Sequence, residues 1–388
     1  KIKLNNPSRY ISGYSVMSIT TQGAFGNNYT RTFEENERIL DIDLYRPINT
    51  IEDWKNINQS PTENYMLMQD LDFINNGDDI IISSNYTGKL NGNGHKIKNI
   101  NVTQYLFRYL NGSIMDLEME NVQIAVRAGY VGLISQTDAD ARIQDIHMNN
   151  IKITGDRRYS ATIGSLVGNL IGGIVQDCSI RNLELQVEEI TDAIVGGLAG
   201  RTSAATIRSS YVQNVDIEIG MVTQTVGIGG VAGASYDYTM IENCYTTGKI
   251  KSNSPYLGGI LGVTNYSSIN NCYSTMVLEN NAEYIGGILG REGLINSTSV
   301  RGNLALGSIY SQTATQYIHR IMGESGQTSN NYAYEGQKIN GFVITDPQDA
   351  ILLSEEELSN PNTYTNILNW GNAYDYRQVE EGILPKLY

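Results

Sequence analysis

A five-residue phrase, Gly-Gly-apolar-apolar-Gly, returns down this chain at near-constant spacing and limits what it can fold into. It stands as Gly196-Gly197-Leu198-Ala199-Gly200, Gly229-Gly230-Val231-Ala232-Gly233, Gly258-Gly259-Ile260-Leu261-Gly262 and Gly286-Gly287-Ile288-Leu289-Gly290, in steps of 33, 29 and 28 residues. Weaker copies occur at Val131-Gly132-Leu133-Ile134-Ser135, Gly164-Ser165-Leu166-Val167-Gly168 and His319-Arg320-Ile321-Met322-Gly323. A period of this size marks a stack of like units rather than one globular core. In such a stack each unit packs only on its neighbours, so 388 residues need not divide into several domains.

Aligning the chain on this phrase brings a second block into register. It reads Ile114-Met115-Asp116-Leu117, Ile143-Gln144-Asp145-Ile146, Val175-Gln176-Asp177-Cys178, Ile207-Arg208-Ser209-Ser210, Ile241-Glu242-Asn243-Cys244, Ile269-Asn270-Asn271-Cys272 and Leu294-Ile295-Asn296-Ser297. Four residues beyond its end stand Asn121, Asn150, Asn182 and Asn214, each opening an alternating apolar–polar run. Short alternating runs broken by Gly and Asn are strands and turns. No sustained helical period appears between about residues 80 and 335. Each unit thus holds two or three short strands. Stacked strand on strand, such units form a parallel β-helix with rungs about 4.8 Å apart. A propeller blade needs roughly 40 residues and four strands, more than these units hold. Asn at a left-handed corner bends the chain and can bond its copy on the next rung. Glycine serves where φ is positive or a neighbouring backbone comes close.

The ends depart from the period. Residues 1–48 show no repeat and read as a lead-in or part of a preceding domain; 49–344 read as the β-helix with its N-terminal cap; 345–388 read as a C-terminal cap. Ser354-Glu355-Glu356-Glu357 has the form of a capping box and predicts a short helix. Atypical ends are expected, because a solenoid must cover its open edges.

Composition narrows the function. A net charge of −14 argues against nucleic acid and anionic membranes. No apolar run reaches the length of a membrane span. Three cysteines exclude a disulfide-built scaffold. The chain begins with Lys1, so we read it as a piece of a larger protein, with neighbouring domains of the parent as partners.

Four sets of residues could carry chemistry. His95, His147 and His319 lie in distant repeats and none has a second His four residues on, so no zinc site is expected. Cys178, Cys244 and Cys272 occupy one column, shared with Ser210 and Ser297; they read as a ladder of small buried residues, with a Cys244–Cys272 disulfide as the alternative. Asp116, Asp145 and Asp177 stack with Asn243, Asn271 and Asn296 as a corner ladder, the alternative being calcium binding or glycoside cleavage, for which Asp138, Asp140 and Asp145 are the residues to test. Tyr256, Tyr284 and Tyr317 share a column two residues before the Gly phrase and are the candidate binding residues.

Together with Asp70-Leu71-Asp72-Phe73, Gly88-Lys89-Leu90-Asn91-Gly92-Asn93-Gly94-His95 and the ending around Trp370 and Leu384-Pro385-Lys386-Leu387, these repeats resemble the GLUG repeats of bacterial surface proteins. Over roughly residues 50–388 the arrangement is similar to the β-helical region upstream of the catalytic domain in immunoglobulin A zinc metallopeptidases of Gram-positive bacteria. That resemblance implies a right-handed parallel β-helix, a secreted or wall-attached parent, and host immunoglobulin A as partner. It also implies zinc only in a separate catalytic domain. The family's His-Glu-x-x-His helix is absent here, so no catalytic residue carries over. The expected role is a non-catalytic scaffold that docks substrate. An adhesin module for a host protein or glycan and a polysaccharide lyase or hydrolase are the alternatives.

Overall fold

The computed structural model describes residues 43–387 apart from 156–158, 225–226, 281–282, 294–296, 312–316, 325–327 and 345–346. It also describes the strand segments Ile2–Lys3, Tyr10–Ser12, Ser18–Gln22 and Asn28–Thr32. One turn serves for all. The chain runs through Gly129–Val131, Ile134–Thr137 and the long bent strand Arg142–Gly155, then enters the next turn at Tyr159–Gly164. Each segment pairs in parallel with its copy one turn on. Repetition builds a parallel β-helix. One wall is a sheet of eight strands from Ile82–Tyr86 to Leu289–Glu292, and the other walls belong to one continuous sheet.

The inward residues form columns. Leu133, Leu166, Leu198, Val231, Ile260, Ile288 and Ile321 stack in a line, all buried, and the amides of the first six bond the next turn. The phrase glycines stand where the walls meet, and their role is close approach. None has positive φ, whereas a Cβ on Gly258 would lie 2.0 Å from the Leu261 carbonyl oxygen and 2.7 Å from the Gly290 nitrogen. The alternative of positive φ at these positions is therefore set aside.

Left-handed residues make the corners instead. Asp116, Asp145, Asp177, Ser209, Asn243, Asn271, Gly302 and Asn330 have φ between 48° and 68°. A second corner holds Asn99, Asn121, Asn150, Asn182 and Asn214, with φ between 54° and 58°. One register read from sequence is corrected. Ile269 pairs with Val300, so the corner after Asn271 is Gly302 and the residue after Cys272 in its column is Asn303, not Ser297. More residues separate Glu292 from the strand Ser299–Arg301 than separate Thr264 from Ser268, and the apolar-x-Asn-small pattern at 294–297 mimics a block that the strand Ser299–Arg301 supplies. Leu294, Ile295 and Asn296 lie outside the described residues. Ser297 sits in that loop, its amide and hydroxyl donating to Glu292 Oε1 at 2.5 and 3.1 Å.

The two ends close differently. At the start, Thr50 caps the helix Ile51–Lys55 in a capping box with Asp53. That helix drives Trp54 into the core, edge-on to Phe73 and Phe107 at 5.3 and 5.6 Å, with Nε1 donating to the Ile80 carbonyl at 2.8 Å. Asp43–Ile48, from the lead-in, pairs in parallel with Tyr65–Leu67. At the far end Asp349 stands in for a missing strand. Its carboxylate accepts from the amides of Ile321 and Met322 at 3.1 and 2.7 Å. The buried Arg320 guanidinium donates to Tyr334 O, Gln337 Oε1 and Ile344 O. A buried cation is tolerated when its donors are matched in this way. Among the described residues no helix is long and apolar enough to cross a membrane.

Candidate functional site on the lateral face

One outward column collects most of the chemistry. In successive turns the register aligns Lys96, Glu118, His147, Ser179, Tyr211, Tyr245, Tyr273, Leu304 and Tyr332. The parallel ladder holds equivalent side chains one rung apart, close to an aromatic stacking distance. Tyr211, Tyr245 and Tyr273 accordingly stack at 4.7 and 4.8 Å, with planes 4° apart. The sequence reading did not single these tyrosines out. The signal was there: each directly follows the Ser210, Cys244 or Cys272 of the repeated block.

The C-terminal segment lies over this ladder rather than across the open end. Ser354 caps the helix Glu355–Leu358 through a box with Glu357. The chain then delivers Tyr364, Leu368, Trp370 and Tyr374 onto Tyr245, Tyr273, Leu304 and Tyr332 as a second apolar cluster. Side chains bond the two backbones together. Trp370 Nε1 donates to Gly302 O at 2.7 Å, Tyr374 OH to Asn271 O at 2.8 Å, and Tyr273 OH to Pro385 O at 2.6 Å. We call this segment the strap.

Beyond the strap the same column continues uncovered. Tyr211 is half-buried, with the Arg181 guanidinium over its ring at 5.2 Å and bonded to its hydroxyl. A groove lined by Lys96, Glu118, Glu120, His147, Asn149 and Arg181 follows. Lys96 and Glu118 pair at 2.6 Å. His147 is held from both sides, by Asp145 at 2.9 Å and by Ser179 Oγ at 2.8 Å. Serine, imidazole and carboxylate in a hydrogen-bonded line are the skeleton of an acyl-transfer site. A nucleophile must also reach a carbonyl, and Ser179 is 0% exposed. The arrangement therefore orients the imidazole and does not present the hydroxyl.

The residues singled out from sequence fall as follows. Tyr256, Tyr284 and Tyr317 do form a column, with ring centroids 5.7 and 4.5 Å apart. It is not open surface. Tyr284 is 9% exposed and the other two are half-buried. Arg291 lies 5.1 and 4.5 Å from the Tyr256 and Tyr284 ring centres and pairs with Glu324 at 3.0 Å. Cys178, Cys244 and Cys272 are buried free thiols whose Sγ atoms donate to backbone carbonyls at 3.1 to 3.8 Å. Burial pushes Cys178 up to about 12, and it raises Cys272 as well.

Asn121 Nδ2 donates to Asn99 Oδ1, Asn150 to Asn121, Asn182 to Asn149 and Asn214 to Asn182, at 2.5 to 3.3 Å. Asp116 and Asp145 sit on adjacent corners, where burial, and then Asp145, hold the Asp116 carboxyl above its usual range. Asp138 and Asp140 lie on an exposed turn before a different corner, where Asp138 bonds the Ala139 amide at 2.8 Å. His95 contacts Asp70 at 3.3 Å, and His319 contacts Met322 O at 2.9 Å. Among the described residues no three His, Cys, Asp or Glu side chains converge as a metal site.

A parallel β-helix is the class these features define. The sequence profile of the GLUG motif matches residues 225–251. A provisionally named immunoglobulin A1 protease from Bacteroides ovatus is similar in structure at 19% identity and a TM-score of 0.45, covering 88% of this chain and 92% of that one. A second similar structure, an IgA1 protease, is 15% identical with a TM-score of 0.45, covering 85% of this chain and 24% of that longer one. No curated protein sequence matches the chain. The chain thus carries a GLUG motif within a parallel β-helix.

Proposed function

We propose that this β-helix is a non-catalytic docking scaffold of a secreted or surface-attached bacterial protein, and that its parent is a metallopeptidase acting on immunoglobulin A. The GLUG match and the similarity to proteins bearing that name support the parent. One observation carries the docking role. The lateral face already takes a segment of polypeptide, the strap, by ring stacking and side-chain bonds to backbone carbonyls. The groove from Tyr211 to Lys96 continues the same column and is uncovered. A rigid ladder presents such a face at a fixed offset, so a docked substrate is positioned without being cut here.

The test compares two substrates on the parent with and without residues 43–388. Removing the solenoid should lower kcat/KM on whole immunoglobulin A at least tenfold more than on a short peptide spanning the cleaved bond. Equal losses on both would overturn the docking role. Failure of immunoglobulin A to be cleaved at all would overturn the parent.

A further inference from the structure

Two tyrosines stand at a turn that the two preceding rungs give to glycine and alanine. The strands Ile174–Gln176, Thr206–Arg208, Met240–Glu242 and Ser268–Asn270 are paired in register. Two residues before each stand Gly172, Ala204, Tyr238 and Tyr266. All four are left-handed, with φ of 55°, 51°, 64° and 53°. Gly meets that requirement without strain, while a bulky aromatic side chain there is an outlier. The strain is not offset by burial. Tyr238 is 81% exposed and Tyr266 is 44% exposed. Strained residues that gain no packing are retained where the strain serves a site.

The rings form a pair. Their centroids are 5.8 Å apart and their planes 38° from parallel, on consecutive rungs. Hydrogen-bonding groups flank them. Asp237, itself left-handed, accepts from Ser203 Oγ at 2.7 Å one rung away. On the inner side Arg201 is turned onto the Tyr236 ring at 4.9 Å and so does not lend its face to the exposed rings.

We propose that Tyr238 and Tyr266 form a platform for a neutral oligosaccharide lying along the solenoid axis. The faces of the two rings carry negative quadrupole charge and meet the C–H faces of pyranose rings, while Asp237 accepts from sugar hydroxyls. Tyrosine gives this area at low conformational cost. Charge selects the class: a −14 protein with a carboxylate beside the rings disfavours sialylated or sulfated chains. The turn also favours sugar over peptide. Backbone groups on this wall already bond the rungs above and below, so no free edge is offered to an added strand. The proposal stands whether or not the parent cleaves immunoglobulin.

The intact protein is applied to an array of neutral and sialylated oligosaccharides, and the best binder is titrated by calorimetry. The variants are Tyr238→Asn and Tyr266→Asn, singly and together, because Asn keeps the left-handed turn and removes the ring. Neutral oligosaccharides should bind, and the double variant should weaken Kd at least tenfold with Tm unchanged or raised. No neutral binder, binding only to sialylated chains, or a neutral binder unaffected by the double variant would each overturn the platform. So would binding of a deglycosylated polypeptide that the double variant weakens equally. A tyrosine pair that merely braced the turn would instead lower Tm when replaced.

Discussion

Corner asparagines do two jobs at once. Each holds φ near 56°, and Asn121, Asn150 and Asn214 also donate a side-chain bond to the corner asparagine one turn back. The left-handed conformation costs an ordinary residue roughly 1–2 kcal/mol, and the exposed amide bond contributes at the low end of about 0.5–1.5 kcal/mol. Asn150→Ala should therefore lose about 2 kcal/mol in urea denaturation, and Asn150→Gly, which keeps the conformation, less than about 1 kcal/mol. Equal losses in both would show that the ladder bond, not the corner, dominates. The thiols make a second test. With Cys178 pushed up to about 12 by burial, the folded protein at pH 8 holds it as a thiol. Alkylation should then wait for unfolding, and fast labelling of native protein would contradict the burial. The corner columns were legible in the sequence because Asp, Asn and the small residue after them recur at one offset. They misled only at 294–297, where the sequence carries a decoy of the block while Val300 and Asn303 continue the stack.

The strap is the element that sequence did not place. Its helix was legible, since Ser354 and Glu357 form the expected box. Its destination was not, because Trp370 and Gly302 are 68 residues apart and only the folded ladder makes their surfaces complementary. Trp370→Ala should cost about 3–5 kcal/mol locally. Hydrogen exchange should show residues 354–387 losing protection while the turns before Tyr211 keep theirs; uniform loss would mean the strap and ladder fold as one unit. Alkaline pH probes the same contact. Burial raises Tyr245, Tyr273, Tyr364 and Tyr374 above the ordinary 10.0. These phenols stay neutral in the fold and ionise in the unfolded chain. Stability is thus full below pH 10 and falls as pH rises past it, by about 1.4 kcal/mol per unit for each tyrosine still protonated. Tm should be flat between pH 7 and 9 and drop above 10, with a shallower drop for Tyr273→Phe. A Tm insensitive to pH 11 would mean that the tyrosines titrate freely.

At the scale of the whole molecule, the array should behave as a one-dimensional stack. Outside the strap each turn meets only its neighbours, so stability there is a sum of turns and interfaces. Val167 pairs with Ala199, and the same offset of 32 holds from Ile174 and Thr206 through Ile180 and Val212. Excising residues 167–198 therefore joins Leu166 to Ala199 one full turn on, and every later strand finds an equivalent partner. Nothing in the strap's contacts is touched, since these begin at Cys244. The shortened chain should keep its β-sheet circular dichroism and a single cooperative melt, shifted down by only a few degrees. Excising 167–182 removes half a turn. It would set Leu183 of a lateral wall beside Leu166 of a different one, and the turns before and after the junction could no longer stack in register. That variant should lose the cooperative melt. If both deletions behave alike, the turns do not pack as interchangeable units, and a fixed-offset scaffold would have to be explained by long-range contacts such as those of the strap.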